Sequence, residues 1–160
     1  MTPPQLAQRR GLMPAGGVWR AVLAVALAVA GVMHLLLTAE HFGQSTLMGL
    51  GFAAATVVEL GLAAAVMVRP GRWLYAAVIA ISSALVALYL YNVFIGLPFA
   101  GSETAAGHGD IEEHAGHHTD GLVVGAGEPV DAAGAFTKGA ELISIGIAAG
   151  LLRRERPRTP

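Results

Sequence analysis

The histidines of the chain fall in two places. Four of its six histidines, His108, His114, His117 and His118, stand in one short stretch, HGDIEEHAGHHTDG, with Asp110, Glu112 and Glu113 among them. Imidazole nitrogen suits zinc, copper or nickel, and adjacent carboxylates add oxygen ligands and negative potential. The spacing of His114, His117 and His118 lets two or three imidazoles reach one ion if the chain turns there. A tract of this kind points to metal binding by composition and fixes neither coordination number nor geometry. The same composition also fits a solvated acidic linker, or a pH sensor, since free imidazole titrates close to neutrality. The candidate ligands here are His108, Asp110, Glu113, His114, His117 and His118.

The other two histidines lie in or beside a long apolar run. His34 and His41 are seven residues apart, nearly on one helical face, with Glu40 beside them. Their ligand-type side chains make His34, Glu40 and His41 a second candidate metal set. Three further ionisable residues interrupt apolar runs elsewhere: Glu59, Lys138 and Glu141. An ionisable group in mid-membrane costs roughly 2.5–3.5 kcal/mol on insertion scales and is a functional candidate by default. Lys138 precedes Glu141 by three residues, so the two share a helix face and can pair. The plainer reading makes Glu59 and Glu141 hydrogen-bonding links between helices. His34 is the strongest single candidate, because imidazole offers ligation or proton relay and nothing in its position requires it for stability.

The elements that must position these groups are membrane spans. Hydrophobic residues make up 54% of the 160-residue chain and charged residues 13%, with a mean hydropathy of +0.60; soluble domains carry about 25% charged residues. Four segments approach the roughly 20 apolar residues needed to cross a hydrocarbon core: residues 19–38, 46–68, 72–95 and, weakest because of Lys138 and Glu141, 132–152. Pro70 and Gly71 break the chain between the second and third. The first is too long for the apolar core of a cleaved signal peptide and lacks a small-x-small site after it, so it is expected to stay in the membrane. The expected fold is all-α: a four-helix transmembrane bundle with a disordered His-rich, acidic external loop between helices 3 and 4.

The basic residues orient it. Arg9, Arg10 and Arg20, then Arg69 and Arg72, then Arg153, Arg154, Arg156 and Arg158 all fall on one side if the chain crosses four times. By the positive-inside rule that side is the cytoplasm. Residues 1–18 and 153–160 are then cytoplasmic, and the membrane domain covers 19–152 with its external loop at 98–131. The cell membrane is the expected location. With arginine confined to such anchors, no nucleic-acid surface is expected.

Absence of cysteine rules out thiolate metal sites and disulfides within the chain. Haem is disfavoured, since only the first span carries histidine and one helix face cannot ligate one iron from both sides. Zinc, copper or nickel remain the candidate cofactors. No nucleophile–base pair, phosphate loop or HExxH motif is present, so catalytic residues are assigned nowhere and an enzyme is disfavoured. Ser82 and Ser83 are expected to bond their own helix backbone. Small residues at helical spacing, Ala24 and Ala28, Ala26 and Ala30, Gly61 and Ala65, Gly146 and Gly150, let helices approach within the bundle or between copies. The expected partners are the lipid bilayer and a second copy or a larger membrane complex.

The pattern H-x5-E-H at His34, Glu40 and His41, a second span containing Gly and Phe, Tyr89–Leu90 followed by Gly96–Leu97–Pro98, and Glu141 in the last span together resemble a group of small four-span membrane proteins of high-GC bacteria. The resemblance covers most of the membrane part. It implies the four-span topology and singles out His34, Glu40, His41 and Glu141. Members of that group carry an arginine just before the Gly-Leu-Pro element and a shorter loop after it; here Asn92 to Ile95 and the His-rich extension stand instead. Two functions fit the residues: handling of a divalent transition metal, transport included, or a non-catalytic subunit or assembly factor of a membrane complex.

Overall fold

The computed structural model describes residues 15–96, 122, 124 and 130–155. Four helices run α1 (Ala15–Gln44), α2 (Thr46–Val68), α3 (Arg72–Phe94) and α4 (Ala132–Arg154). All four are long and apolar enough to cross a membrane. At 1.5 Å per residue a 23-residue helix spans about 35 Å, slightly more than a hydrocarbon core. Their outward faces carry the side chains that lipid accepts: Leu36, Val57, Val68 and Trp73 are all largely exposed. The chain is a multi-pass membrane protein that contacts the bilayer through these faces. Arg20, Arg69, Arg72, Arg153 and Arg154 gather at one end of the bundle, and His34 and His41 belong to the half nearer the other; the ends are called here the arginine end and the histidine end.

α1 is longer than the expected span. It continues to Gln44, so Glu40 and His41 sit on the helix and not in an interfacial loop. Ser45 alone separates α1 from α2, and hydrogen bonds from Ser45 N to His41 O and from Gly49 N to Ser45 O carry the backbone pairing through the corner. At the far end of α2, Arg69, Pro70 and Gly71 break the helix as the sequence predicts. α3 stops at Gly96, whose φ of 82° places it in the left-handed region; its amide reaches back to the Tyr91 and Asn92 carbonyls, a glycine C-cap. α4 is capped by Asp131, whose carboxylate accepts from the Gly134 amide, and ends in Arg153 and Arg154, which complement the negative end of the helix dipole. Leu122 and Val130 form an isolated antiparallel bridge just before it. Most of the expected external loop lies outside the described residues.

The helices pack as α2–α1–α4–α3, with α1 against α2 and α4, and α3 against α4. Of the neighbouring pairs, α2 and α3 touch least although they are consecutive. Toward the arginine end all four contribute to one core: Leu23 and Leu27, Ala63 and Val66, Tyr75 and Val78, Ala148 and Leu151. Lipid provides no hydrophobic drive for helices to associate, so this contact rests on close van der Waals fit. Of the small-residue pairs, Ala30 is buried and Ala24 and Ala28 pack against the core, whereas Gly61, Gly146 and Gly150 face outward with nothing near them.

Candidate metal centre

The close fit of α1 on α2 depends on Gly31. A Cβ there would lie 3.0 Å from Leu60 Cγ and 3.3 Å from Glu59 Cβ, so the glycine lets α2 approach just where Glu59 points inward. One turn further along α1 stands His34. Its Nδ1 lies 2.8 Å from Glu59 Oε2 and 3.1 Å from the carbonyl oxygen of Ala30. A carbonyl only accepts, so in the neutral ring Nδ1 carries the proton and the lone pair resides on Nε2. Nε2 faces α4, with Glu141 Oε1 at 3.8 Å. Lys138, one turn earlier on α4, donates to that same Oε1 at 2.5 Å, which is the pair the spacing predicts.

Three helices thus bring one imidazole and two carboxylates together inside the bundle. His34 is 5% exposed, and Glu59 and Glu141 are fully buried. One ligand atom from each lies within 4.8 Å of the others, so the group could hold a metal ion. Bond lengths of about 2.0–2.2 Å to nitrogen and oxygen require such atoms to close in somewhat around zinc. The second oxygen of each carboxylate, Glu59 Oε1 and Glu141 Oε2, is buried with no hydrogen-bond partner among the described residues. A buried carboxylate oxygen without a donor costs free energy that a cation can offset.

Above this group, toward the histidine end, a cavity of about 340 Å³ opens between the helices. His34 and Lys138 line it, Phe52 and Met48 of α2 and Leu85 and Leu88 of α3 supply apolar wall, and Glu40, His41, Asn92 and Asp131 stand around it. Its position follows from the sparse contact between α2 and α3. His41 is 6% exposed; its Nδ1 donates to the Leu37 carbonyl at 2.8 Å, leaving Nε2 as the acceptor nitrogen. Its ring stacks on Phe52 with centroids 3.6 Å apart, and Phe52 meets His34 edge-on at 5.4 Å. One phenyl ring therefore touches both imidazoles.

The candidates read from sequence part company here. His34, Glu59 and Glu141 come together, with Lys138 against them. His41 and Glu40 border the same cavity, Glu40 as an exposed residue. His108, Asp110, Glu113, His114, His117 and His118 lie outside the described residues. The direct pairing of His34 with Glu59 was not read from sequence; Gly31, one turn before His34, was the available signal. The expectation for Ser82 fails, because its hydroxyl is buried without a hydrogen-bond partner among the described residues, whereas Thr56, Thr137 and Ser144 do bond the carbonyl one turn back. Ser83 is exposed.

Comparison with protein-family models, curated proteins and solved structures finds no match. The fold and the buried His/Glu/Glu group define the class: a multi-pass helical membrane protein with an intramembrane group able to hold a metal ion.

Proposed function

We propose that this protein binds a divalent transition metal, zinc, copper or nickel, inside the membrane and passes it between the cavity and the bundle interior. His34 Nε2 and Glu141 are the first ligands. Glu59 fixes the imidazole tautomer by accepting the Nδ1 proton, as carboxylates do behind metal-bound histidines, and offers Oε1 as a further ligand. The observation that carries the reading is the pair of fully buried carboxylates flanking one imidazole, each with an oxygen that lacks a donor. Placing the arginine end in the cytoplasm makes the cavity open outward. The His-rich loop, with His108, Asp110, Glu113, His114, His117 and His118, then captures dilute ions, and Glu40 and His41 relay them inward.

The test uses the full chain, purified in detergent or nanodiscs and equilibrated with Zn²⁺ or Co²⁺. A tightly held ion is expected, and His34→Ala should lose at least about 100-fold in affinity, since it removes a ligand, and loss of a mere hydrogen-bond partner behind a ligand already costs about 10–100-fold. Wild type that retains no metal, or His34→Ala that retains as much, overturns the reading. Replacing the four loop histidines with alanine should slow loading from dilute metal while leaving the buried site intact.

A further inference from the structure

Lys138 stands where a metal reading meets its first objection, because Glu141 already has a cation. Its ammonium donates to Glu141 Oε1, the oxygen that faces His34 Nε2 across 3.8 Å. An ion bridging that nitrogen and that oxygen would be a close neighbour of the ammonium, and two positive charges that close in a poorly hydrated interior repel strongly. We infer that Lys138 is a tethered counter-cation which an incoming metal ion displaces from Glu141, and which returns to expel it. The inference rests on the metal reading of the cluster and concerns its affinity and exchange rate.

The surroundings give the displaced ammonium somewhere to go. Lys138 lines the cavity and keeps 13% of its side chain exposed, whereas Glu141 is sealed. Its Nζ lies 5.5 Å from the centre of the Tyr89 ring, within the range of a cation–π contact. Asp131, the N-cap of α4 seven residues earlier and nearly on the same helical face, borders the same cavity. Helical side chains lean toward the N-terminus, so the long lysine stem naturally swings toward Tyr89 and Asp131 and away from Glu141. The ammonium therefore has two stations: Glu141 when the ion is absent, and the cavity wall when it is bound.

Such an exchange suits a conduit better than a store. A transported ion must bind well enough to enter and loosely enough to leave. With two carboxylates, an imidazole and no competing cation, the site would hold a divalent ion too firmly to pass it on.

The experiment measures Zn²⁺ affinity, by competition against Co²⁺ absorption, and the rate of release to a chelator, for the full-length protein and three variants. Lys138→Met removes the competing charge, and Lys138→Gln removes it while keeping a donor for Glu141 should the methionine variant fold poorly. Both are expected to bind at least about tenfold more tightly and to release more slowly, as removal of a close like charge requires. Asp131→Asn, which keeps a competent N-cap, removes the second station and is expected to weaken binding severalfold. Lysine variants that bind as wild type does or more weakly, while wild type binds, overturn the displacement and leave the metal site standing. If wild type and all variants alike retain nothing, the metal reading itself falls. Binding that emerges only in the lysine variants supports displacement in its strongest form.

Discussion

The two halves of the bundle solve opposite problems with the same four helices. Toward the arginine end, Leu23, Leu27, Val66, Val78 and Ala148 close on one another with Tyr75 in an apolar core. In the other half the interior holds His34, Glu59, Lys138 and Glu141 beneath a cavity. In a bilayer the first arrangement stabilises by fit alone, and the second must satisfy each polar group from within. The packed half is thus a clamp that keeps four helices in register, and the carved half uses that register to hold charges a few ångströms apart. Substitutions that separate stability from metal retention test this division of labour.

The largest effect is expected from Glu141→Leu. It removes a proposed ligand and takes from the Lys138 ammonium its buried partner, a loss worth about 3–5 kcal/mol when one member of a buried pair is deleted. Unfolding in mixed micelles should show that drop together with lost Zn²⁺ binding. A variant of unchanged stability would mean that the Lys138 ammonium is held as well beside Tyr89 and Asp131 as beside Glu141. Next comes Leu27→Ala in the clamp, expected to cost about 2 kcal/mol, the low end for a leucine cavity because lipid supplies no transfer term. Zn²⁺ affinity per folded molecule should hold, since distant sites behave additively. Affinity lost in proportion to stability would show the two halves to be one cooperative unit.

What the sequence discloses follows the same division. The spans and the Pro70–Gly71 break are legible because a bilayer imposes length and composition, and the Lys138–Glu141 pair is legible because three residues on one helix fix their distance. The meeting of His34 with Glu59 is not, since it depends on how α1 folds back on α2 through the single residue Ser45. Nor is the cavity, which exists because α2 and α3 stay apart despite being consecutive. Ser82 shows the limit of a local rule: its hydroxyl has the same backbone acceptor nearby as any helical serine but does not use it.

Gly31→Ala probes the boundary between the halves. The added methyl group meets Leu60 Cγ at 3.0 Å and Glu59 Cβ at 3.3 Å, so α2 must give way by a few tenths of an ångström. Overpacking of this size costs about 1 kcal/mol. The shift acts directly on the 2.8 Å contact between His34 and Glu59, so metal affinity should fall more than stability does. Equal affinity in this variant would assign Glu59 no part in orienting the imidazole.

The smallest effect is expected at Phe52, and it is the most selective. Phe52→Leu keeps an apolar side chain on the cavity wall but removes the ring that stacks on His41 at 3.6 Å and meets His34 at 5.4 Å. Ring pairs of this kind contribute about 0.5–1.5 kcal/mol beyond burial, so stability should drop by no more than that. His34 is still fixed by Glu59 and the Ala30 carbonyl, whereas among the described residues His41 keeps the Leu37 carbonyl alone. Equilibrium affinity at the buried site should therefore hold, while loading slows as His41 loses its fixed orientation at the cavity. Stopped-flow loading with Co²⁺ separates the two quantities. A fall in affinity without a change in loading rate would place Phe52 behind His34 instead, and would remove His41 from the path of the ion.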